Sequence, residues 1–153
     1  MSFYRESTQP VVNPDTGLPY ISEEIVRMNQ TATESDHFPR HELECHCGCG
    51  EVEINYGSLM KLETTRIRYG KPFVPNCAYR CQAHNDTIKG ASKTSSHTKG
   101  YAFDIPVEND ADRWRLINAA IDAGFTRIGI YSNFIHLDDD PDKNDFRIWW
   151  GKY

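Results

Sequence analysis

Apolar residues recur at helical spacing in "GSLMKLETTRIRYGKP", where Leu59, Leu62 and Arg66/Ile67 mark one face. Ser58 is the candidate N-cap, and Gly70 followed by Pro72 stops the helix. "NDADRWRLINAAIDAGF" carries the strongest helical signal: Asn109 or Asp110 caps it, Trp114, Ile117 and Ile121 form a stripe, and Gly124 takes the C′ position. "YAFDIPV" alternates instead, with Phe103, Ile105 and Val107 on one side and Ala102, Asp104 and Pro106 on the other. The apolar set must face the core, so Asp104 faces away from it. "TRIGIY" and "FIHLD" read as two short strands around "SN". In the second, His136 and Asp138 share one face, while Ile135 and Leu137 share the other.

The remaining segments are weaker. Residues 1–35 are polar and punctuated by prolines, with a hint of a helix at Ile21, Ile25 and Met28; they read as an arm packed on the domain. "PFVPNCAY" is biased toward extended geometry by its prolines. "CQAHNDTIKG" predicts a short helix ending at Gly90, and "ASKTSSHTKG" is loop chemistry. Helices mixed with short strands, without a regular βαβ rhythm, predict an α+β fold: a mainly antiparallel sheet with flanking helices in one domain over residues 36–153.

Composition narrows the function classes. The chain has 153 residues, enough to bury a working core, and 25% are charged. A net charge of −5 speaks against a general nucleic-acid footprint. No apolar run reaches the roughly 18–20 residues that cross a bilayer, and no signal peptide is visible, so no membrane partner is expected. The expectation is a monomer made in the cytoplasm and delivered elsewhere by other means.

Candidate chemistry then concentrates in one place. His97 lies at the mouth of a turn at Gly100, Asp104 on the strand leaving it, and His136 on a later strand. Imidazole and carboxylate are good zinc ligands, and catalytic zinc commonly takes three protein ligands and keeps one position for water. Asp138, one strand period beyond His136, could serve as the acid/base or as a group that positions substrate or ligand. Asp139 and Asp140 read as a solvated acidic turn before Pro141.

"SSHTKGYAFDI" resembles the Ser-x-His-x-x-Gly-x-Ala-x-Asp motif of the zinc D-Ala-D-Ala peptidases, matched by Ser95, His97, Gly100, Ala102 and Asp104. "RIGIYSNFIHLD" resembles the second ligand segment of that family's small single-domain carboxypeptidases, and "NCAYRCQAHN" their tyrosine-arginine-cysteine segment. The family includes D-Ala-D-Ala carboxypeptidases, murein endopeptidases and phage endolysins, and shares its metal-site fold with the hedgehog signalling domain. The resemblance implies a catalytic Zn2+ held by His97, Asp104 and His136. It also implies that Arg80 and Ser95 lie on the substrate side, with Arg80 binding a carbonyl or carboxylate. Asn133 and Phe134 stand where several branches carry an acid or a histidine, which leaves Asp138 as the acid/base. The implied function is hydrolysis of a peptide bond in a peptidoglycan stem peptide or cross-link, in the manner of a phage endolysin that waits in the host cytoplasm for release to the cell wall. The alternative is a zinc-stabilised binding or phage structural module of the same fold.

Three features stand outside that scheme. Cys45, Cys47, Cys49, Cys77 and Cys81 are compatible with free thiols, with a second, structural metal site (His46 or His84 in reserve), or with disulfides after export. His37 and His41 read as surface residues. "RIWWGKY" offers two tryptophans, either a ledge for sugar or peptide or one packed and one exposed ring.

Overall fold

A computed structural model of the chain describes residues 23–151. It is an α+β fold, as the patterning predicts. In chain order its elements are helix α1 (Glu23–Met28), strand β1 (Thr31–Ala32), helix α2 (Arg40–Leu43), strand β2 (Ile54–Asn55) and helix α3 (Tyr56–Tyr69). Helix α4 (Gln82–Thr87) is followed by a 3-10 turn (Ser96–Lys99), strand β3 (Ala102–Pro106) and helix α5 (Asp110–Ala123). Strands β4 (Arg127–Ile130), β5 (Phe134–Asp138) and β6 (Arg147–Trp150) complete the chain. The principal sheet has the order β3-β5-β4-β6. Its β3–β5 and β5–β4 pairs are antiparallel, and β6 joins β4 in parallel. A short antiparallel pair, β1–β2, lies apart.

Strand alternation places the core as expected. Phe103, Ile105, Ile135 and Leu137 are fully buried on one face of the sheet, each worth about 1.5–3 kcal/mol relative to an exposed side chain. Leu59 and Leu62 of α3 and Leu116 of α5 pack on the same cluster. The antiparallel register sets Asp104 directly opposite His136 and Ala102 opposite Asp138. The "PFVPNCAY" segment forms no regular strand, but Cys77 bridges to Asp104 along the outer edge of β3. The peptide N–H of Asp104 donates to the Cys77 carbonyl at 2.9 Å.

Several local expectations change. The N-cap of α3 is Asn55, whose side chain accepts the Ser58 N–H; Ser58 lies inside the helix. The buried face of α3 continues through Glu63 and Thr65, while Ile67 is 67% exposed. On α5 the buried positions are Asp112, Leu116, Ala119 and Ala120; of the expected stripe, Ile117 packs half-buried on the core, whereas Trp114 and Ile121 face outward. α5 packs along α3, and alanines let the two backbones approach where a tryptophan would hold them apart. Bulk was therefore the wrong guide to that stripe. Asp139 and Asp140 do not form a solvated turn either. Asp139 accepts Ser58 Oγ at 2.5 Å and Lys61 Nζ at 2.6 Å. Asp140 is fully buried, taking Ser96 Oγ at 2.9 Å and Lys99 Nζ at 3.1 Å. Ile21, part of the suggested N-terminal helix, lies outside the described residues. From Glu23 onward the chain returns to α3, with Asn55 Nδ2 donating to the Met28 carbonyl at 3.0 Å.

Candidate metal centre

His97, Asp104 and His136 come together although they arise from a turn and two different strands. Gly100 makes the turn possible. It holds φ +77°, and an added Cβ would stand 2.1 Å from the Glu53 carbonyl oxygen, so no other residue fits without moving β2. Just before it, the 3-10 turn carries His97 into the protein, where it is 4% exposed. His97 Nδ1 lies 2.8 Å from the Ala78 carbonyl. A carbonyl can only accept, so Nδ1 carries the proton and Nε2 is directed at Asp104 Oδ2, 3.2 Å away. His136 approaches the other oxygen: its Nδ1 is 2.9 Å from Asp104 Oδ1. The two imidazoles meet edge to face with their centroids 5.1 Å apart.

Asp138 lies on the other nitrogen of His136. Its Oδ2 is 2.7 Å from His136 Nε2. Its Oδ1 accepts the peptide N–H of Asp140 at 3.2 Å and stands 2.9 Å from Arg127 Nε. The residue is 1% exposed, and all these partners favour its ionised form. Asp138 therefore touches His136 from behind, on the nitrogen that does not face Asp104.

The electrostatics ask for positive charge. Burial works against an imidazolium at His97, yet the neighbouring Asp104 carboxylate outweighs it and holds His97 up to about 10. Burial likewise opposes ionised Asp104, but the charge of His97 and the hydrogen bond from His136 hold it well below the usual carboxylate range. Asp138 is also held down, its burial overcome first by the His136 hydrogen bond and charge. A buried carboxylate between two imidazoles, each with its outer nitrogen committed elsewhere, is a donor set that suits a zinc ion.

The cluster forms one wall of a cleft of about 330 Å³. Arg80, Ser95, Tyr131, Phe134, Lys143 and Trp149 are among the residues that line the rest. Arg80 donates to Asn85 Oδ1 at 3.2 Å and to Cys77 Sγ at 3.3 Å, which holds its guanidinium at the cleft. Tyr131 and Phe134 stack with centroids 4.2 Å apart. Trp149 reaches the site across Gly129, where any Cβ would come within 2.8 Å of the indole. Its ring lies 5.6 Å from that of His136. Of the two tryptophans, then, Trp149 borders the cleft and Trp150 is 76% exposed.

Sequence reasoning missed one of these neighbours, Lys143, and misplaced a second, Cys77. Cys77, grouped there with the other cysteines, instead offers its sulfur within 4.8 Å of His97 and Asp104 donor atoms. The alternation of a strand running beside Asp104 would have been the signal, but an isolated bridge leaves none. Lys143 reaches the cleft from the loop before β6, which no local pattern announces, while the parallel pairing of β6 with β4 selects Trp149 from the two tryptophans that the sequence offered as a ledge. The other four cysteines gather elsewhere: Cys45, Cys47, Cys49 and Cys81 lie with their sulfurs within 4.8 Å of one another. All five are free thiols. At Cys45 burial is overcome by the peptide N–H groups of Cys47 and Cys81, holding it at about 6. Cys47, hydrogen-bonded to Cys49 above all, is pushed up to about 12. His46 is exposed and His84 lies beside Cys45. His37 and His41 are surface residues, His37 with its ring on Glu63.

A carboxylate gripped by two histidines at the wall of a cleft, on the non-core face of an antiparallel β-pair, is an arrangement that metal-dependent hydrolases use. The chain belongs to the peptidase M15 family, whose sequence model matches residues 36–138, a span that holds all three residues and Asp138. No curated protein and no solved structure matches the chain.

Proposed function

We propose that the chain is a zinc peptidase of peptidoglycan, cutting a peptide bond beside a D-amino acid in the stem peptide or its cross-links, and that it serves as a phage endolysin. One observation carries the chemical part: His97 Nε2 and His136 Nδ1 converge on the two oxygens of Asp104 at the wall of an open cleft. Family membership supports the peptidase part. The endolysin assignment rests on the resemblance alone, and no helix among the described residues is long and apolar enough to cross a membrane.

In this reading His97, Asp104 and His136 hold the zinc, which supplies Lewis acidity and a water acidic enough to attack at neutral pH. The Ala78 carbonyl fixes the His97 tautomer. Asp138 accepts the Nε2 proton of His136 and keeps its Nδ1 free, so it orients a ligand and leaves proton transfer to others. Arg80, which lines the cleft with its guanidinium held by Asn85 and Cys77, binds a substrate carboxylate or a peptide carbonyl. Ser95 offers a hydroxyl beside it, and the Tyr131, Phe134 and Trp149 rings present apolar surface to the methyl groups of alanines.

The binding-module alternative has one observation in its favour. Among the described residues lining the cleft, Asp104 is the single carboxylate, so no free acid stands ready as general base. Release of amines from isolated sacculi decides between the two readings. Zinc-loaded protein should release them and His136→Ala should not; no release by the wild type would leave a binding module. Mass spectrometry of the muropeptides then names the bond.

A further inference from the structure

The four cysteines left outside the cleft form a site of their own. Cys45 follows α2, Cys47 and Cys49 lie in the turn beyond it, and Cys81 caps the N-terminus of α4. Cys45 and Cys47 sulfurs are 3.5 Å apart, and those of Cys47 and Cys81 3.7 Å. A tetrahedral zinc with Zn–S bonds of about 2.3 Å requires sulfurs about 3.8 Å from one another. The observed spacing is that of ligands around one ion.

The backbone is arranged for thiolates. Peptide N–H groups point at three of the sulfurs: Cys81 N at Cys45 (3.3 Å), His84 N at Cys81 (3.4 Å) and Glu51 N at Cys49 (3.4 Å). The His84 ring nitrogen Nδ1 lies 3.2 Å from Cys45 Sγ. Such donors offset the negative charge that several sulfurs gather on one cation. The turn is folded over its sulfurs by Gly48, at φ 85°, and tied down by Arg40, which donates to the Gly50 carbonyl at 2.7 Å. Cys45 and Cys81 are buried, whereas Cys47 and Cys49 are exposed, so an ion can enter from solvent and still be anchored in the protein.

We propose that Cys45, Cys47, Cys49 and Cys81 bind a second zinc ion, closed by four sulfurs and structural in role. The ion staples the 45–49 turn to the start of α4, and the residue before Cys81 is Arg80. Its peptide N–H donates to the His97 carbonyl at 3.2 Å. The staple therefore fixes the segment that presents Arg80 to the cleft, without itself touching substrate.

Cobalt substitution tests the site in the full-length chain, reconstituted with Co2+ under reducing, oxygen-free conditions. Sulfur-to-cobalt charge-transfer bands should appear in the wild type. They should persist in Cys77→Ser, which removes the sulfur beside the other cluster, and in His136→Ala, which damages that cluster. The paired change Cys47→Ser and Cys49→Ser, at exposed positions, should abolish them and lower bound metal by one equivalent. Should that variant not fold, thiol titration of the wild type decides: with zinc bound, these four cysteines should resist a thiol reagent until a chelator is added. The proposal is overturned if the bands are absent from the wild type, if they vanish in Cys77→Ser, or if zinc leaves the four thiols freely reactive. A failure of the proposed peptidase activity would leave all of these readouts unchanged.

Discussion

The strand-borne cluster of His97, Asp104 and His136 and the turn-borne cluster of four cysteines use opposite constructions. In the first, β3 and β5 are already held by backbone hydrogen bonds and by a buried hydrophobic face, and Asp104 stands opposite His136 because the register requires it. These side chains are pre-placed by the fold, so an ion held there would add chemistry more than architecture. In the second, Cys47 and Cys49 lie in an exposed turn, and the buried Cys45 and Cys81 meet them from the end of α2 and the start of α4. An ion there supplies the cohesion that packing does not. The lesson is that the two sites should fail differently when damaged.

The largest effect should come from the first cluster. Asp104→Asn or His136→Ala should lower peptide hydrolysis by ~10³-fold or more, measured as amine release from sacculi, with the thermal midpoint little changed. A collapse of the midpoint would erase the distinction between the two clusters. The second cluster should show the reverse pattern. Cys47→Ser should lower Tm by roughly 10 °C in a calorimetric scan of zinc-loaded protein, while kcat on muropeptides at low temperature stays within a few-fold of wild type.

Asp138→Asn sharpens the reading of the first cluster. An orienting role predicts about 10–100-fold weaker zinc binding in a competition titration, with activity recovered at saturating zinc. Activity that stays lost at full occupancy would restore Asp138 as the acid/base. The smallest effect should come from a site outside both clusters. Glu63 is held below its ordinary 4.5, burial being outweighed by Ser35 Oγ and by the His37 N–H and ring. A carboxylate depressed in the folded state stabilises it above the unfolded value, and that stabilisation disappears as pH falls through the lower, folded one. Denaturant midpoints should therefore decline below about pH 4.5 more steeply in the wild type than in Glu63→Gln.

The site was legible to the extent that its residues obey local rules. The two-residue period of a strand separated Asp104 from Phe103 and Ile105, and His136 and Asp138 from Ile135 and Leu137. Gly100 announced a reversal, and its left-handed φ and contact with Glu53 bear this out. The α5 stripe misled because large apolar residues were assumed to be inside. Leu116, Ala119 and Ala120 take the buried face, and Trp114 is left 68% exposed. The acidic pair Asp139 and Asp140 misled for a related reason. Adjacent carboxylates before a proline look solvated until Lys61 and Lys99 arrive from distant elements.

By itself, then, the sequence determined helices α3, α4 and α5, strands β3, β4 and β5, the face on which Asp104, His136 and Asp138 sit and the family to which the motifs point. Those properties depend on neighbours a few positions away, through alternation, capping and turn geometry. Only the tertiary structure decided that Cys77 parts from the other cysteines, that Asp138 backs His136 on the nitrogen turned away from Asp104, and that Trp149 and not Trp150 borders the cleft. Each of these rests on strand register and long-range pairing, which arise when distant segments bury a common face, and no local pattern encodes which partner a free edge or a free thiol will meet.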